Sequence, residues 1–440
     1  MIFFHVSSIL RQLKPWILYY VGIVMKRKRF RHILAVVVTA GAAFFLGTVV
    51  GRRRALRPTP AAEQRIAPAG TDFHFIRSLP YLSSGTKAAG SVETGVVLHN
   101  PEKVFPGVNL YTSGHADEAY LIDMEGSLIK KWSCPRNKLE PDRKVGRGRG
   151  ALSGIRFAHA FENLDLLAIY DYQGLVKLDK DSREIWTYRG EAHHDLWITP
   201  DNDIYLLTAR EVPIPRLNRK TTILVDYVTV LDEGGKEKAS YSILEMLEES
   251  PFSFLLPIVN HIQETEALDI LHANSIQVFD GSQAARSKRL FQEGNILLSL
   301  RNLSFVFIYD PRNQEIVWGW GPTNIAFQHK ARLLDNGNII IFNNGMESSA
   351  VVEIDPLSGE VIWEYRGEGE DGFLTRLLGS AQRLPNGNTL VVDSNSGTAF
   401  ELTPGKEIVW RFVNPAEADG AIAVIPEMRR YEKGAFPTIP

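Results

Sequence analysis

Apolar and polar positions along most of this chain fall into short bursts that end on an aromatic. Ala119–Trp132 (AYLIDMEGSLIKKW), Gly174–Trp186 (GLVKLDKDSREIW) and Val228–Tyr241 (VTVLDEGGKEKASY) each read as an apolar run, a polar turn and a second run. Phe305–Trp318 (FVFIYDPRNQEIVW), Ala350–Trp363 (AVVEIDPLSGEVIW) and Thr398–Trp410 (TAFELTPGKEIVW) repeat the pattern. It predicts a β-hairpin each time. A second hairpin precedes most copies, turning at Pro200–Asp203, Gln292–Asn295, Asp335–Asn338 and Pro385–Asn388. Asn-Gly in the last two predicts a tight turn with positive φ at both central residues.

Two hairpins make four strands. Four-stranded units that recur every ~45–55 residues predict a β-propeller. Six copies predict six blades, an all-β fold over residues 95–440, with the recurring Trp packed between blades. One interval is longer, 77 residues from Tyr241 to Trp318. It holds Ser242–Ile262 (SILEMLEESPFSFLLPIVNHI), whose helical spacing is broken by Pro251 and Pro257. An insertion over 242–270 is expected, either a lid at the rim or a helix packed between blades.

The N-terminus follows another pattern. Ile33–Gly51 holds 19 residues without a charge, enough at ~1.5 Å per residue to cross a bilayer core of about 30 Å. Basic clusters flank it at Lys26–His32 and Arg52–Arg57, the upstream one heavier, which favours the N-terminus inside. No small-residue cleavage site follows, so the expectation is an uncleaved signal anchor. Met25 offers a second start. The resulting division is a basic segment over 1–32, a transmembrane anchor over 33–51 and a linker over 52–94. The propeller then lies on the extracytoplasmic side of the membrane. Composition changes this little. A net charge of −2 offers no global field for nucleic acid, and the single Cys134 excludes an intrachain disulfide.

Register converts scattered histidines into a candidate site. His329 stands seven residues before Asn336 of its turn, and His194 seven before Asp201. His272 opens a similar strand, with 14 further residues before its turn. In a propeller the first strand of each blade lines the central channel, so these positions converge near the axis. Arg301 follows the Gln292–Asn295 turn, and antiparallel return places it beside His272. His115 and His159 lack this register, His261 lies in the insertion, and alternation turns His193 away from His194.

Three histidines and an arginine make a cationic pocket suited to a tetrahedral anion such as sulfate or phosphate. Imidazole adds a nucleophile or proton carrier near neutral pH. Two other readings stay open. Three histidines are also a zinc set, although the charge of Arg301 counts against a neighbouring dication. Each histidine is otherwise a satisfied polar residue at a blade edge.

The motifs that carry these residues resemble the bacterial arylsulfate sulfotransferases. The resemblance runs from Gly95 to Asn414 and rests on HHDLWITPDND, HANSI, SLRNLSFVFIYD and QHKARLLDNGNIIIFNNG together. It implies a six-bladed enzyme that moves a sulfuryl group from an aryl sulfate to a phenol, in ping-pong fashion, with no nucleotide donor and no cofactor. It further implies that His329 becomes transiently sulfated, that His272 and Arg301 hold the sulfuryl group, and that His194 lines the pocket and assists proton transfer. A membrane-tethered propeller that only binds an anion or a protein partner is the alternative. Two features depart from the family. Lys330 follows the histidine where an acidic residue is usual, and residues 55–94 are too short for the family's N-terminal β-sandwich. Strand alternation predicts that Lys330 faces solvent; if it points inward, it adds to the pull on anions.

Overall fold

All five residues of Ile339–Asn343 (IIIFN) are buried, because both faces of this strand pack on protein. Ile339 and Ile341 join Leu297, Val306 and Ile308 on one side. Ile340 and Phe342 join Val391 and Phe400 on the other. Side chains alternate along a strand, so an unbroken apolar run marks a sheet sandwiched between two others. That observation sets the architecture of the computed structural model, which describes residues 84–90, 92–134, 154–256, 268–367 and 369–438.

Six antiparallel sheets follow one another around the molecule, and in each the strands run in order from the inside outward. Sheet I is Met428–Glu432, Gly107–Thr112, Glu118–Ile122 and Leu128–Ser133. Sheet II is Phe157–Ala160, Leu166–Tyr170, Gly174–Leu178 and Glu184–Tyr188. Sheet III is Ala192–Ile198, Ile204–Val212, Ile223–Leu231 and Glu237–Ser242, with Leu268–Asp269 added in parallel to Ile223–Leu231. Sheet IV is Ala273–Val278, Ile296–Leu300, Phe305–Asp310 and Glu315–Trp320. Sheet V is His329–Leu333, Ile339–Asn343, Ala350–Ile354 and Val361–Tyr365. Sheet VI is Ser380–Arg383, Thr389–Asp393, Thr398–Leu402 and Ile408–Val413, and Gly95–His99 extends its outer edge.

The inner strands, or those next to them, touch from each sheet to the next, and Ser380–Arg383 of VI touches Met428–Glu432 of I. The cycle is closed and propeller-like. A hydrophobic cluster fills each of the six intervals between sheets. Both ends of the chain contribute to closure. Met428–Glu432 supplies the inner strand of sheet I, and Gly95–His99 pairs with the last strand of sheet VI.

The recurring Trp ties sheet to sheet. The indole N–H of Trp132 donates to Leu164 O (3.0 Å), of Trp186 to Glu233 O (3.1 Å), of Trp363 to Pro404 O (3.0 Å) and of Trp410 to Met124 O (2.9 Å). Each acceptor lies in a turn of the following sheet.

The hairpin turns differ from expectation. Gly337 has φ 78°, but Asn336 is not among the positive-φ residues. Gly337 N donates to Leu334 O and Leu334 N to Asn338 O, both at 2.8 Å. This is a three-residue loop, a type I turn closed by one left-handed residue, which meets the strand twist as well as the shorter Asn-Gly turn does. Leu164, Asn202, Gly294 and Gly387 take the same left-handed place in sheets II, III, IV and VI.

The insertion is a packing element at its start. Ser242 Oγ accepts from Glu245 N and caps the short helix Ile243–Glu248, whose Ile243, Leu244, Met246 and Leu247 are buried against sheets III and IV. Of the two expectations for this segment, its described part fits the inter-sheet helix. The expected linker over 52–94 contains a strand, Ser84–Ala88, paired with Ala421–Ala423. The expected anchor over 33–51 lies outside the described residues, and among those described no helix is long and apolar enough to cross a membrane.

Candidate functional site

Each sheet brings two positions to the axis at the same end: the start of its inner strand and the residue just past its second strand. Antiparallel pairing places them side by side. In sheet IV, Arg301 N donates to His272 O at 3.1 Å. Sheets II to V supply Arg156 with Asp171, His194, His272 with Arg301, and His329 with Asn344.

Bulges aim these side chains. Strand register shifts between Ala192 and Leu196, between Ala273 and Ser275, and between His329 and Arg332. His194 (φ 57°), His272 (φ 54°) and Lys330 (φ 47°) lie in the left-handed region that side-chain-bearing residues seldom adopt. A bulge breaks the alternation of the strand and turns consecutive residues the same way. His193 and His194 therefore face each other, Nδ1 to Nδ1 at 2.9 Å, both buried. The expectation that alternation turns His193 away is corrected on this ground.

The four candidate residues come together. The His194 ring lies 4.7 Å from that of His272, centroid to centroid, and 6.5 Å from that of His329. Arg301 is buried, its guanidinium 4.9 Å from the Phe327 ring and its Nη1 donating to Asn302 Oδ1 at 2.9 Å. His272 Nδ1 donates to Asp269 Oδ2 at 2.5 Å.

His329 is the most tightly specified. Its Nδ1 lies 2.8 Å from Asn344 Oδ1 and 3.1 Å from Phe327 O. The Asn344 amide nitrogen donates to Thr375 O (2.6 Å) and Leu378 O (2.9 Å), so its oxygen faces the ring. Both neighbours of Nδ1 are acceptors; Nδ1 therefore carries hydrogen and Nε2 keeps its lone pair. Burial, then the charges of Arg301 and Arg156, hold the His329 pKa well below the ordinary value. The imidazole is neutral at physiological pH. Burial, reinforced by Arg156 and the other histidines, lowers His194 in the same way. Gln328, the residue before His329, binds Ser299 Oγ (2.9 Å) and the carbonyls of Leu300 and Phe305 (both 3.2 Å), pinning this strand to sheet IV.

Lys330 does not face bulk solvent as alternation predicts. It is buried, with Nζ 3.0 Å from Asp195 Oδ1 and 2.9 Å from Glu427 Oε2. Arg332 Nη2 binds the other Asp195 oxygen at 2.6 Å. The bulge turns Lys330 inward, and two carboxylates neutralise it there. This network borders a separate cavity of about 520 Å³, lined among others by Lys330, Arg332, Arg383 and Arg429 and by none of the four candidates.

Arg156 went unread in the sequence, yet the same seven-residue rule finds it, counted back from Asn163. It is buried, with Nε 3.6 Å from Asp171 Oδ2. His193, Asp226 and Asn344 carried no such signal on the first strand. Among the described residues, no group of three His, Cys, Asp or Glu is placed to hold a metal ion.

A model of the arylsulfotransferase (ASST) family matches residues 161–415, which include all four candidate residues. The chain belongs to the arylsulfotransferase family. No curated protein matches it. Solved structures similar to it include a protein of unknown function from Bacteroides caccae, 13% identical over 73% of this chain and 98% of that one, with a TM-score of 0.49. A streptogramin B lyase is 12% identical over 80% and 95%, with a TM-score of 0.42. The virginiamycin B lyase of Staphylococcus aureus, solved as an inactive variant with quinupristin, is 11% identical over 59% and 69%, with a TM-score of 0.36. Family membership gives the arylsulfotransferase its general activity, sulfuryl transfer.

Proposed function

We propose that this arylsulfotransferase moves a sulfuryl group from an aryl sulfate to a phenol through a sulfated His329. The observation that carries the reading is the neutral His329 ring, held at Nδ1 by Asn344 with the Nε2 lone pair open. In the first half-reaction Nε2 attacks sulfur, an N–S bond forms, the ester S–O bond breaks, and the phenolate leaves. In the second, an incoming phenol gives up its proton as its oxygen attacks sulfur, the N–S bond breaks, and His329 returns to its neutral state; the proton given up offsets the one the departed phenolate takes. Arg301 offers fixed donors to the transferring oxygens. His272, held at Nδ1 by Asp269 and set against the His194 ring, lines the same pocket. Desolvation strengthens each of these contacts.

We read the closed cycle of sheets as a six-bladed propeller, and residues 33–51 as a single-pass anchor that leaves it on the extracytoplasmic side. Protease added to spheroplasts tests the second point, by digesting the propeller only if it lies outside the cytoplasmic membrane.

The test of the chemistry is direct. Incubation with 4-nitrophenyl sulfate without acceptor is expected to release 4-nitrophenol in a burst and leave a sulfuryl group on His329, located by mass spectrometry of peptides. His329→Ala should abolish both burst and transfer. Full activity in that variant, or a sulfuryl group on another residue, sinks the reading.

A further inference from the structure

We propose that Asp226, His193 and His194 form a relay that stores the proton exchanged between the departing and the attacking phenol. It rests on the sulfotransfer reading above and adds residues that reading does not use. His193 is fully buried; its Nδ1 lies 2.9 Å from His194 Nδ1. One proton must lie between these nitrogens, since two lone pairs would repel and two N–H groups would collide. His193 Nε2 lies 3.3 Å from Asp226 Oδ1, a distance set by charge more than by a well-aligned hydrogen bond. Asp226 Oδ2 accepts from Ala273 N at 2.8 Å, which fixes the carboxylate next to His272. Tyr172 stacks on the outer face of His193 at 5.0 Å.

The arrangement has two states: the second holds one proton fewer, and the proton between the rings has passed from His193 to His194. In the first, His193 is an imidazolium whose Nδ1–H donates to His194 Nδ1, and His194 carries its own hydrogen on Nε2. In the second, His194 Nδ1–H donates to a neutral His193, and His194 Nε2 has a lone pair. As the aryl sulfate S–O bond breaks, His194 Nε2–H passes its proton to the phenolate oxygen and receives one from His193. The pair is now in its second state. When the acceptor phenol attacks, its proton goes to His194 Nε2, the Nδ1 proton returns to His193, and the first state is restored. Over a full cycle the acceptor's proton replaces the one the released phenol took from the pair, and no outside base is needed.

The charges around the pair support this. Facing His193 are Asp226 and Asp269, both on its own sheet III, and Asp171 from sheet II; burial lowers its pKa, and these carboxylates, Asp226 foremost, raise it on balance. Facing His194 are Arg156, Asp171, His272 and His329, and its pKa is held down. The spare proton belongs on His193 at rest, as the first state requires.

The experiment uses the full chain, two donors and single-turnover sulfation of His329. Phenyl sulfate releases a basic phenolate that needs the proton; 4-nitrophenyl sulfate releases one that does not. His193→Gln is expected to slow phenyl sulfate by about 100-fold, within the usual range for general acid–base catalysis, and 4-nitrophenyl sulfate by less than about tenfold. Asp226→Asn should move the two rates in the same sense. The ratio of the two rates does not depend on how much variant is folded. An unchanged ratio in both variants overturns the relay while leaving the sulfated His329 in place. If the wild type never sulfates His329, the sulfotransfer reading fails first and the relay with it.

Discussion

His329 should act as a nucleophile well into acid solution. A histidine whose pKa is lowered gives up its proton more easily, so its neutral form persists between the ordinary value near 6.5 and the lowered one. Formation of the sulfated enzyme should hold its rate as pH falls through 6.5 and fail only as pH drops through the lowered value. Asn344→Asp places a carboxylate on Nδ1, which favours the imidazolium and should move the acid limb to higher pH; a pH–rate profile of the phenol burst measures it. Lys330 makes a second residue-level claim. Its charge is spent on Asp195 and Glu427, so Lys330→Met leaves buried carboxylates short of a partner, at a cost of about 3–5 kcal/mol. Urea unfolding should show that loss, whereas a large rise in KM for aryl sulfate at unchanged stability would mean Lys330 faces the donor after all. The sequence made His194, His272, His329 and Arg301 legible because position relative to the turn survives in the histidine strands or, for Arg301, follows from hairpin return. Arg156 obeys the same distance and was hidden only by its residue type. His193 was hidden by the bulge, a backbone irregularity that no alternation pattern records.

At the scale of the element, what matters is how one sheet grips the next. Four indole N–H groups make equivalent bonds to a turn of the following sheet, although only Trp132 and Trp410 are fully buried. Trp410→Phe keeps most of the packing and loses the bond to Met124 O. It should cost about 1–3 kcal/mol, because the carbonyl is left unpaired in the interior. Trp363→Phe removes the same bond where water can replace it, and should cost less than about 1 kcal/mol. Urea midpoints of the two variants compare them, and equal losses would show that the bond is not what distinguishes the sites. The strands themselves were readable, since an apolar run with both faces covered, as in Ile339–Asn343, has no helical period to confuse it. Turn chemistry was read less well. Asn-Gly matches a two-residue turn and also a three-residue one, and this chain takes the second. The strand Ser84–Ala88 escaped because its run SGTKA is polar and short.

The whole molecule depends on joining segments that stand far apart in the chain. Sheet I lacks an inner strand until Met428–Glu432 returns to Gly107–Thr112, and Arg430 secures that return. Its Nη1 lies 2.6 Å from Glu401 Oε2 of sheet VI, its Nε 2.6 Å from Asn109 Oδ1 of sheet I, and the side chains of Arg430 and Glu401 are both fully buried. A buried pair of this kind stabilises little compared with an apolar replacement, but breaking it from one side strands a charge. Arg430→Met should therefore cost about 3–5 kcal/mol, and Arg430→Met with Glu401→Met should recover most of that loss. Urea unfolding followed by tryptophan fluorescence reads both, since Trp410 lies beneath the Arg430 guanidinium at 4.8 Å. The same variants test whether closure governs the site. The histidines belong to sheets III, IV and V and touch neither partner, so a ring that merely needs to stay shut predicts equal sulfation rates in the double variant and the wild type. Slower sulfation in a double variant of normal stability would mean that the seam between sheets VI and I sets the geometry at the axis, and that the pair is kept for position.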